Sequence, residues 1–166
     1  MEYICHYTSP VCKITIASDG DALIGLWFNG QKYFASTLRI TPEEKLIPIF
    51  EETIKWLDIY FNGKVPNFTP TLSIRASVFQ NEVYKVLLSI PYGQTLSYGA
   101  IAQRINCKSA QAVGSAVAHN PISIIIPCHR VIGKNGDMTG YAGGVDKKVK
   151  LLEMEKGNPR NNEDKC

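Results

Sequence analysis

Apolar and polar positions alternate along the first 35 residues. Val11–Ala17 has the two-residue period of a half-buried strand, and Ala22–Phe28 continues it beyond Ser18-Asp19-Gly20-Asp21, a turn sequence. Tyr3-Ile4-Cys5-His6-Tyr7 predicts a short strand before the Ser9-Pro10 turn. Asn29-Gly30 is a strong hairpin signal, which predicts one more short strand over Gln31–Ala35. The period then changes. Ile49/Phe50, Ile54, Leu57 and Tyr60/Phe61 fall on one helical face, and Asn62-Gly63 closes it. Thr41-Pro42-Glu43-Glu44 could open this helix, but Pro48 would then lie inside it. Pro48 fits better at the first helical position. Lys64–Ile74, with Pro66 and Pro70, reads as a linker.

The second half is patterned as helices. Ser77-Val78-Phe79-Gln80 has capping-box spacing and starts a helix running to about Leu88. Ile90-Pro91-Tyr92-Gly93 turns the chain, a helix follows from near Ser97 to Ile105, and Ser109 can cap a third from Ala110 to about His119. Two short helices around Asn106-Cys107-Lys108 make a helix-turn-helix arrangement. Beyond Asn120-Pro121, the run Ile124-Ile125-Ile126 predicts a buried extended segment ending in Pro127-Cys128-His129-Arg130. Gly133–Asp137 is a turn, and Met138–Gly144 is a glycine-rich loop. Lys147–Lys156 is a last helix, and Gly157–Cys166 is a polar tail expected to be disordered. The pattern divides the chain into residues 1–74, a strand-and-helix domain with its linker, and 75–166, a helical domain.

Composition narrows the function classes. The chain has 166 residues, 45% apolar and 20% charged, as in a globular protein. No apolar run approaches bilayer length, and no secretory leader is apparent, so no membrane partner is expected. The five cysteines are odd in number and lack a C-x-x-C pair, which favours a reducing cytoplasm over a disulfide framework. Cys5, His6 and Cys12 do not have zinc-finger spacing, and no metal or cofactor is expected. Residues 1–70 carry 6 basic and 8 acidic side chains, whereas residues 71–166 carry 12 and 7, so the positive charge lies in the second half. That bias is compatible with a polyanionic partner.

The candidate chemistry sits at Cys128. Pro127 stiffens the backbone that carries the thiol, His129 is a neighbouring base, and Arg130 adds positive charge. A Cys–His pair alone also suits a cysteine hydrolase. The helix Ala110–Ala118 is lined with small residues, which suits a close approach to DNA or tight packing against another helix.

The motifs decide between these readings. Phe79-Gln80, Ile90-Pro91-Tyr92-Gly93, Ser97-Tyr98, Ala112-Val113-Gly114, Asn120-Pro121, Ile126–Gly133 and Gly140-Tyr141-Ala142-Gly143-Gly144 resemble the O6-alkylguanine-DNA alkyltransferases in order and spacing over about residues 75–156. Ser9-Pro10 and Tyr60-Phe61-Asn62-Gly63-Lys64 resemble the family's N-terminal part. The resemblance implies an α+β protein, with a small ribonuclease-H-like N-terminal β/α domain and a helical C-terminal domain holding a winged-helix-like helix-turn-helix. It implies a monomer that flips O6-alkylguanine out of double-stranded DNA and moves the alkyl group irreversibly to Cys128, with O4-alkylthymine as a second substrate. By the same resemblance His129 is the base, acting through a water, and Glu155 orients it. Asn120 ties the recognition helix to the cysteine segment, and Tyr98 supplies the donor for the departing base. Ser97, Tyr98, Ala110, Gln111, Gly114, Ser115 and Arg130 are the implied DNA contacts, and Val131, Met138, Tyr141 and Ala142 line the implied pocket. Two positions depart from the family pattern. Gln111 stands where an arginine usually fills the gap left by the flipped base, and Ser123 stands where some members have proline.

Overall fold

The alternating N-terminal pattern builds a four-stranded sheet. In the computed structural model, which describes residues 1–138 and 140–156, strands β1 (Tyr3–Thr8), β2 (Lys13–Ser18) and β3 (Leu23–Phe28) form an antiparallel meander. Thr139 and the tail 157–166 lie outside the described residues. The sheet order is β3-β2-β1-β4, with β4 (Glu43–Glu44) parallel to β1. The turns have the side-chain chemistry the sequence suggests. Ser9 Oγ accepts from the backbone N–H of Val11 and Cys12, and Asp19 Oδ1 accepts from those of Asp21 and Ala22. Gly25 is required where it stands, because a Cβ there would lie 2.0 Å from the Trp27 ring.

Helix α1 (Pro48–Phe61) has Pro48 in its first turn. No side chain caps Ile47, and the ring's fixed φ supplies the helical start instead. Ile49, Phe50, Thr53, Trp56, Leu57 and Tyr60 are its buried face. Glu43–Glu44, the rejected helix start, is the short strand β4.

Three expectations are corrected. Gln31–Ala35 is a series of turns, not a strand: Tyr33 and Ala35 adopt φ of 60° and 59°, which no ladder accommodates, and Gln31 Oε1 accepts from Phe28 N. The linker is only partly one, because Leu72 bridges Leu23 with backbone bonds of 2.8 Å on either side. Ile124–Ile126 is buried, but it is a turn and not an extended strand. Ile124 has φ 71° with Ile125 N donating to Ser123 O at 2.8 Å, the strained form of γ-turn and a rare conformation for a β-branched residue. Pro127 (φ −79°, ψ 66°) centres a second, unstrained γ-turn, in which Cys128 N donates to Ile126 O at 2.7 Å.

The chain forms two compact units. One is Met1–Arg75 with Pro121–Ile125, and the other is Ala76–Asn120 with Ile126–Cys166. Residues 121–125 thus leave the helical unit and pair with the sheet of the first, where Ile122 bridges Leu26.

The second unit holds α2 (Val78–Leu88), α3 (Tyr98–Arg104), α4 (Ala110–Ala118) and α5 (Val145–Lys156). Its two-stranded parallel ribbon pairs β5 (Leu96–Ser97) with β6 (Val131–Ile132). The capping box at Ser77 and Gln80 is formed in both directions, worth about 1 kcal/mol. Ser97 and Ser109 cap α3 and α4 by accepting from Ala100 N and Ala112 N. Val83, Tyr84 and Leu87 of α2 are buried, as are Ile101 of α3 and Val113, Ala116 and Val117 of α4. Among the described residues, no helix is long and apolar enough to cross a membrane.

Candidate active site

The thiol is presented by a short 3-10 turn, Cys128–Arg130, that follows the Pro127 γ-turn. Asn120 lies at the end of α4, where its own N–H bonds Val117 O. Its side-chain Nδ2 donates to Ile126 O at 2.8 Å, so it closes the excursion of residues 121–125 just ahead of the cysteine. Cys128 is 4% exposed. Burial raises its pKa above that of an ordinary thiol. Hydrogen bonds from Asn120 and Tyr141 and the charge of Lys148 work in the opposite direction. The resting site therefore holds a protonated thiol surrounded by groups that favour the thiolate.

His129 is fully buried, with Nε2 2.6 Å from Glu155 Oε2. Burial lowers the histidine's pKa more than the carboxylate raises it, and Arg130 and Lys148 push it further down, so the ring is neutral at neutral pH. Glu155 is buried on α5. Desolvation alone would raise its pKa, but the bonds and charges of His129 and Arg130 outweigh this and hold it at about 2. With a carboxylate at Nε2, that nitrogen carries the proton of the neutral ring and the lone pair is on Nδ1. The pair thus has the base-and-orienter half of a nucleophile, base and orienter arrangement, next in the chain to Cys128.

Arg130, expected among the DNA contacts, is 9% exposed and lies inside this network. Its Nε and Nη2 donate to Glu155 at 2.9 and 3.1 Å, and its Nη1 donates to Ile90 O at 2.8 Å.

Lys148 was not singled out from the sequence. It is fully buried, its Nζ has no hydrogen-bond partner among the described residues, and it lies 6.0 Å from the centroid of the Tyr98 ring. A signal was present: Lys148, Leu151, Leu152 and Glu155 share one helical face, and all four are buried. Lysine is almost never fully buried unless paired, so a cation on an apolar stripe is a candidate for a site.

Tyr98 is half-buried at the start of α3. Burial and the neighbouring Cys128 and Asp137 raise its pKa, so the hydroxyl is a proton donor across the physiological range. That hydroxyl lies against Gly140, where an added Cβ would be 3.3 Å away and φ is +88°. Gly114 of α4 backs the same ring. Val131 is buried in β6, Tyr141 is buried, and Met138 and Ala142 are half-buried. Ala110, Gln111 and Ser115 are exposed on α4, whereas Ser97 is half-buried and engaged as the α3 cap. Buried Ser123 belongs to the first unit, 3.5 Å from Gln31 Oε1.

A buried thiol followed in the chain by a buried imidazole–carboxylate pair, with a buried lysine in the same helical unit, narrows the class to proteins with chemistry at a cysteine. Comparison with known proteins names it more closely. Residues 3–74 match the ribonuclease-like domain of 6-O-methylguanine DNA methyltransferase, and residues 78–157 match that family's DNA binding domain. The methylated-DNA–protein-cysteine methyltransferase of Mycobacterium bovis is 45% identical over 155 residues, covering 91% of this chain and 92% of its own. That of Haemophilus influenzae is 39% identical, covering 93% and 86%. The crystal structure of Mycobacterium tuberculosis OGT in complex with DNA superposes with a TM-score of 0.85 at 41% identity, covering 93% of this chain and 92% of that one. The chain belongs to the 6-O-methylguanine DNA methyltransferase family and is an enzyme of the cysteine S-methyltransferase class.

Proposed function

We propose that this protein repairs double-stranded DNA by moving the alkyl group from O6 of guanine, and from O4 of thymine, to Cys128 in a single irreversible turnover. The observations that support this reading are a buried Cys128 thiol that Asn120 and Tyr141 hydrogen-bond and the Lys148 charge favours as thiolate, the buried His129–Glu155 pair that follows it in the chain, and the Tyr98 hydroxyl against Gly140.

The chemistry follows from those groups. The thiol proton moves towards the lone pair on His129, through a bridging water in the family's scheme, and the resulting imidazolium is stabilised by Glu155. The thiolate attacks the alkyl carbon, a C–S bond forms, and the C–O bond breaks with its electron pair going to guanine. The Tyr98 hydroxyl donates towards N3 of the departing base as negative charge develops there. The thioether product has no exchange chemistry of the disulfide kind. Each molecule therefore acts once.

The target atom lies inside the duplex, so the nucleotide must leave the stack. The exposed residues of α4, Ala110, Gln111 and Ser115, are small or uncharged and fit a narrow minor groove with little sequence preference. Gln111 then fills the gap left by the flipped base with a shorter, uncharged side chain than arginine.

The test is intact mass after mixing with DNA containing O6-methylguanine. One added methyl group per chain, absent in Cys128→Ala, is the expected result. Repeated turnover without a change in mass overturns the reading.

A further inference from the structure

Arg130 is spent on neither solvent nor a free surface. At least four donors converge on the two oxygens of Glu155. Gly93 N and Arg130 Nε reach Oε1 at 3.1 and 2.9 Å, and His129 Nε2 and Arg130 Nη2 reach Oε2 at 2.6 and 3.1 Å. The guanidinium thus supplies two of them in the fork geometry that suits a carboxylate. Its third nitrogen is fixed by Ile90 O, and its Cζ lies 5.7 Å from the Tyr92 ring centroid. Lys148 could not replace it, since its Nζ lies towards Tyr98 and the thiol.

We propose that Arg130 is a positioning residue for alkyl transfer: by clamping Glu155 as a carboxylate it keeps the transferred proton on His129 and holds the ring by Nε2, so that Nδ1 is the nitrogen that takes the proton. This assignment rests on the reading of Cys128 as the acceptor, and it replaces a DNA contact by a role inside the relay. The reasoning is electrostatic. A carboxylate facing an imidazolium alone competes for its proton in a dry site, because a neutral acid–imidazole pair needs no charge separation. A second cation on the carboxylate removes that option. It also opposes protonation of the ring from solvent, so the base stays available.

The groups that face this network come from several elements. Glu155 and Lys148 are on α5, and Cys128 and Arg130 are on the 3-10 turn. Tyr92 faces Glu155 and Arg130 from the 90–94 turn. Tyr84 of α2, Tyr98 of α3 and Tyr141 face Cys128. Burial raises the pKa of Tyr84, Tyr92 and Tyr98, so these hydroxyls stay protonated near neutral pH, and the charges nearest the thiol and the ring are Glu155, Arg130 and Lys148.

Removing the Arg130 charge raises the proton affinity of every group around it, whichever of His129, Cys128 or Glu155 takes the proton. The acid limb of Cys128 reactivity should therefore move to higher pH. The experiment follows alkylation of Cys128 by iodoacetamide against pH, read by peptide mass, in wild type, Arg130→Met and Arg130→Lys. Methyl transfer from O6-methylguanine DNA is followed in parallel. Arg130→Met should move the acid limb up by about one pH unit in both reactions. Arg130→Lys, which keeps the charge but not the fork, should leave the limb within about a third of a unit while slowing the reaction. A limb that stays in place in Arg130→Met, or that moves by a full unit in Arg130→Lys, overturns the proposal. If Arg130→Met does not fold, the lysine variant alone decides on that criterion. The iodoacetamide arm needs no guanine. Failure of wild type to take a methyl group from DNA would sink the functional reading and leave the thiol's own pH dependence to judge Arg130.

Discussion

Glu155→Gln is the substitution whose cost can be worked most directly from the structure. Glu155 titrates at about 2 in the folded chain against an ordinary value of 4.5. A difference of about 2.5 units corresponds to about 3 kcal/mol of folding stability. The folded pKa is the lower one, so the unfolded chain binds the extra proton between the two values. The contribution is complete above pH 4.5 and drains away as the pH falls towards 2. Glutamine has no such term at any pH. It also offers one oxygen to four incoming N–H groups, and its own amide hydrogens meet donors head-on, while Arg130 keeps a buried charge opposite a neutral group. The variant should lose about 3–5 kcal/mol at pH 7. Urea unfolding at pH 7 and pH 3 separates the terms: the wild-type advantage should shrink by about 2 kcal/mol at the lower pH. Methyl transfer should slow by about a hundredfold or more, because a carboxamide no longer dictates which histidine nitrogen carries the proton. A stability difference that is the same at both pH values would refute the linkage argument, and an unchanged transfer rate would remove Glu155 from the relay.

Other predictions use the same geometry. Lys148→Met removes a buried ammonium whose pKa is lowered chiefly by burial. That cost is present in full below the lowered folded value and fades as the pH rises from there towards 10.5. The variant should therefore melt higher at pH 7, by about 2–4 °C per kcal/mol relieved, with a gap that narrows near pH 10, while methyl transfer slows by about tenfold or more. Calorimetry and single-turnover rates check both, and a lower melting point would show that the lysine is paired. Tyr98→Phe should slow transfer from DNA by about a hundredfold yet leave iodoacetamide labelling of Cys128 nearly unchanged, since only the first reaction has a base to protonate. Equal slowing of the two would assign Tyr98 to the thiol instead. Gln111→Arg should speed repair of duplex DNA more than reaction with a free alkylated base, measured as two single-turnover rates. Equal gains would argue against a role in filling the vacated stack.

The elements that follow local chemistry were legible in the sequence. Ser77, Ser97 and Ser109 cap helices because their side chains satisfy N–H groups three residues on, which is a short-range matter. Pro48 set the start of α1 for a similarly local reason. The Ile124–Ile126 run misled because burial and extension are separate properties. Three isoleucines report a dry environment, and here the sheet edge at Leu26 and the return to Asn120 impose turns that override their strand preference. At the site, Cys128 and His129 are adjacent and so visible. Arg130 was adjacent as well, but its partner Glu155 lies 25 residues on, and only the tertiary pairing shows that its charge is turned inward. Lys148 was hidden among Lys147 and Lys150, although its register with Leu151, Leu152 and Glu155 placed it on the buried face.

On the proposed mechanism, the charges around Cys128 give the reaction a direction. With Arg130 and Lys148 counted as cations and Glu155 as an anion, beside a neutral thiol and a neutral imidazole, the buried cluster carries one excess positive charge. Moving the thiol proton to His129 separates charge but does not change that total. Transfer of the alkyl group then consumes the thiolate. The imidazolium remains, the cluster holds two excess positive charges, and the departing base holds a negative one. Two uncompensated cations in a dry site cost more than one, so the cluster attracts the anionic base until a proton crosses to it. Tyr98 lies on that route, with its ring close to Lys148 and its hydroxyl against Gly140. On that proposal the site favours the developing guanine anion over the neutral alkylated base that enters, which is the differential stabilisation catalysis requires. The corollary is measurable. In the Lys148→Met variant the excess charge after transfer falls from two to one, so the loss of rate should be larger for transfer from guanine in DNA than for iodoacetamide, whose iodide leaving group needs no proton. If both reactions slow equally, Lys148 acts on the thiolate alone, and the attraction for the departing base is not part of the mechanism.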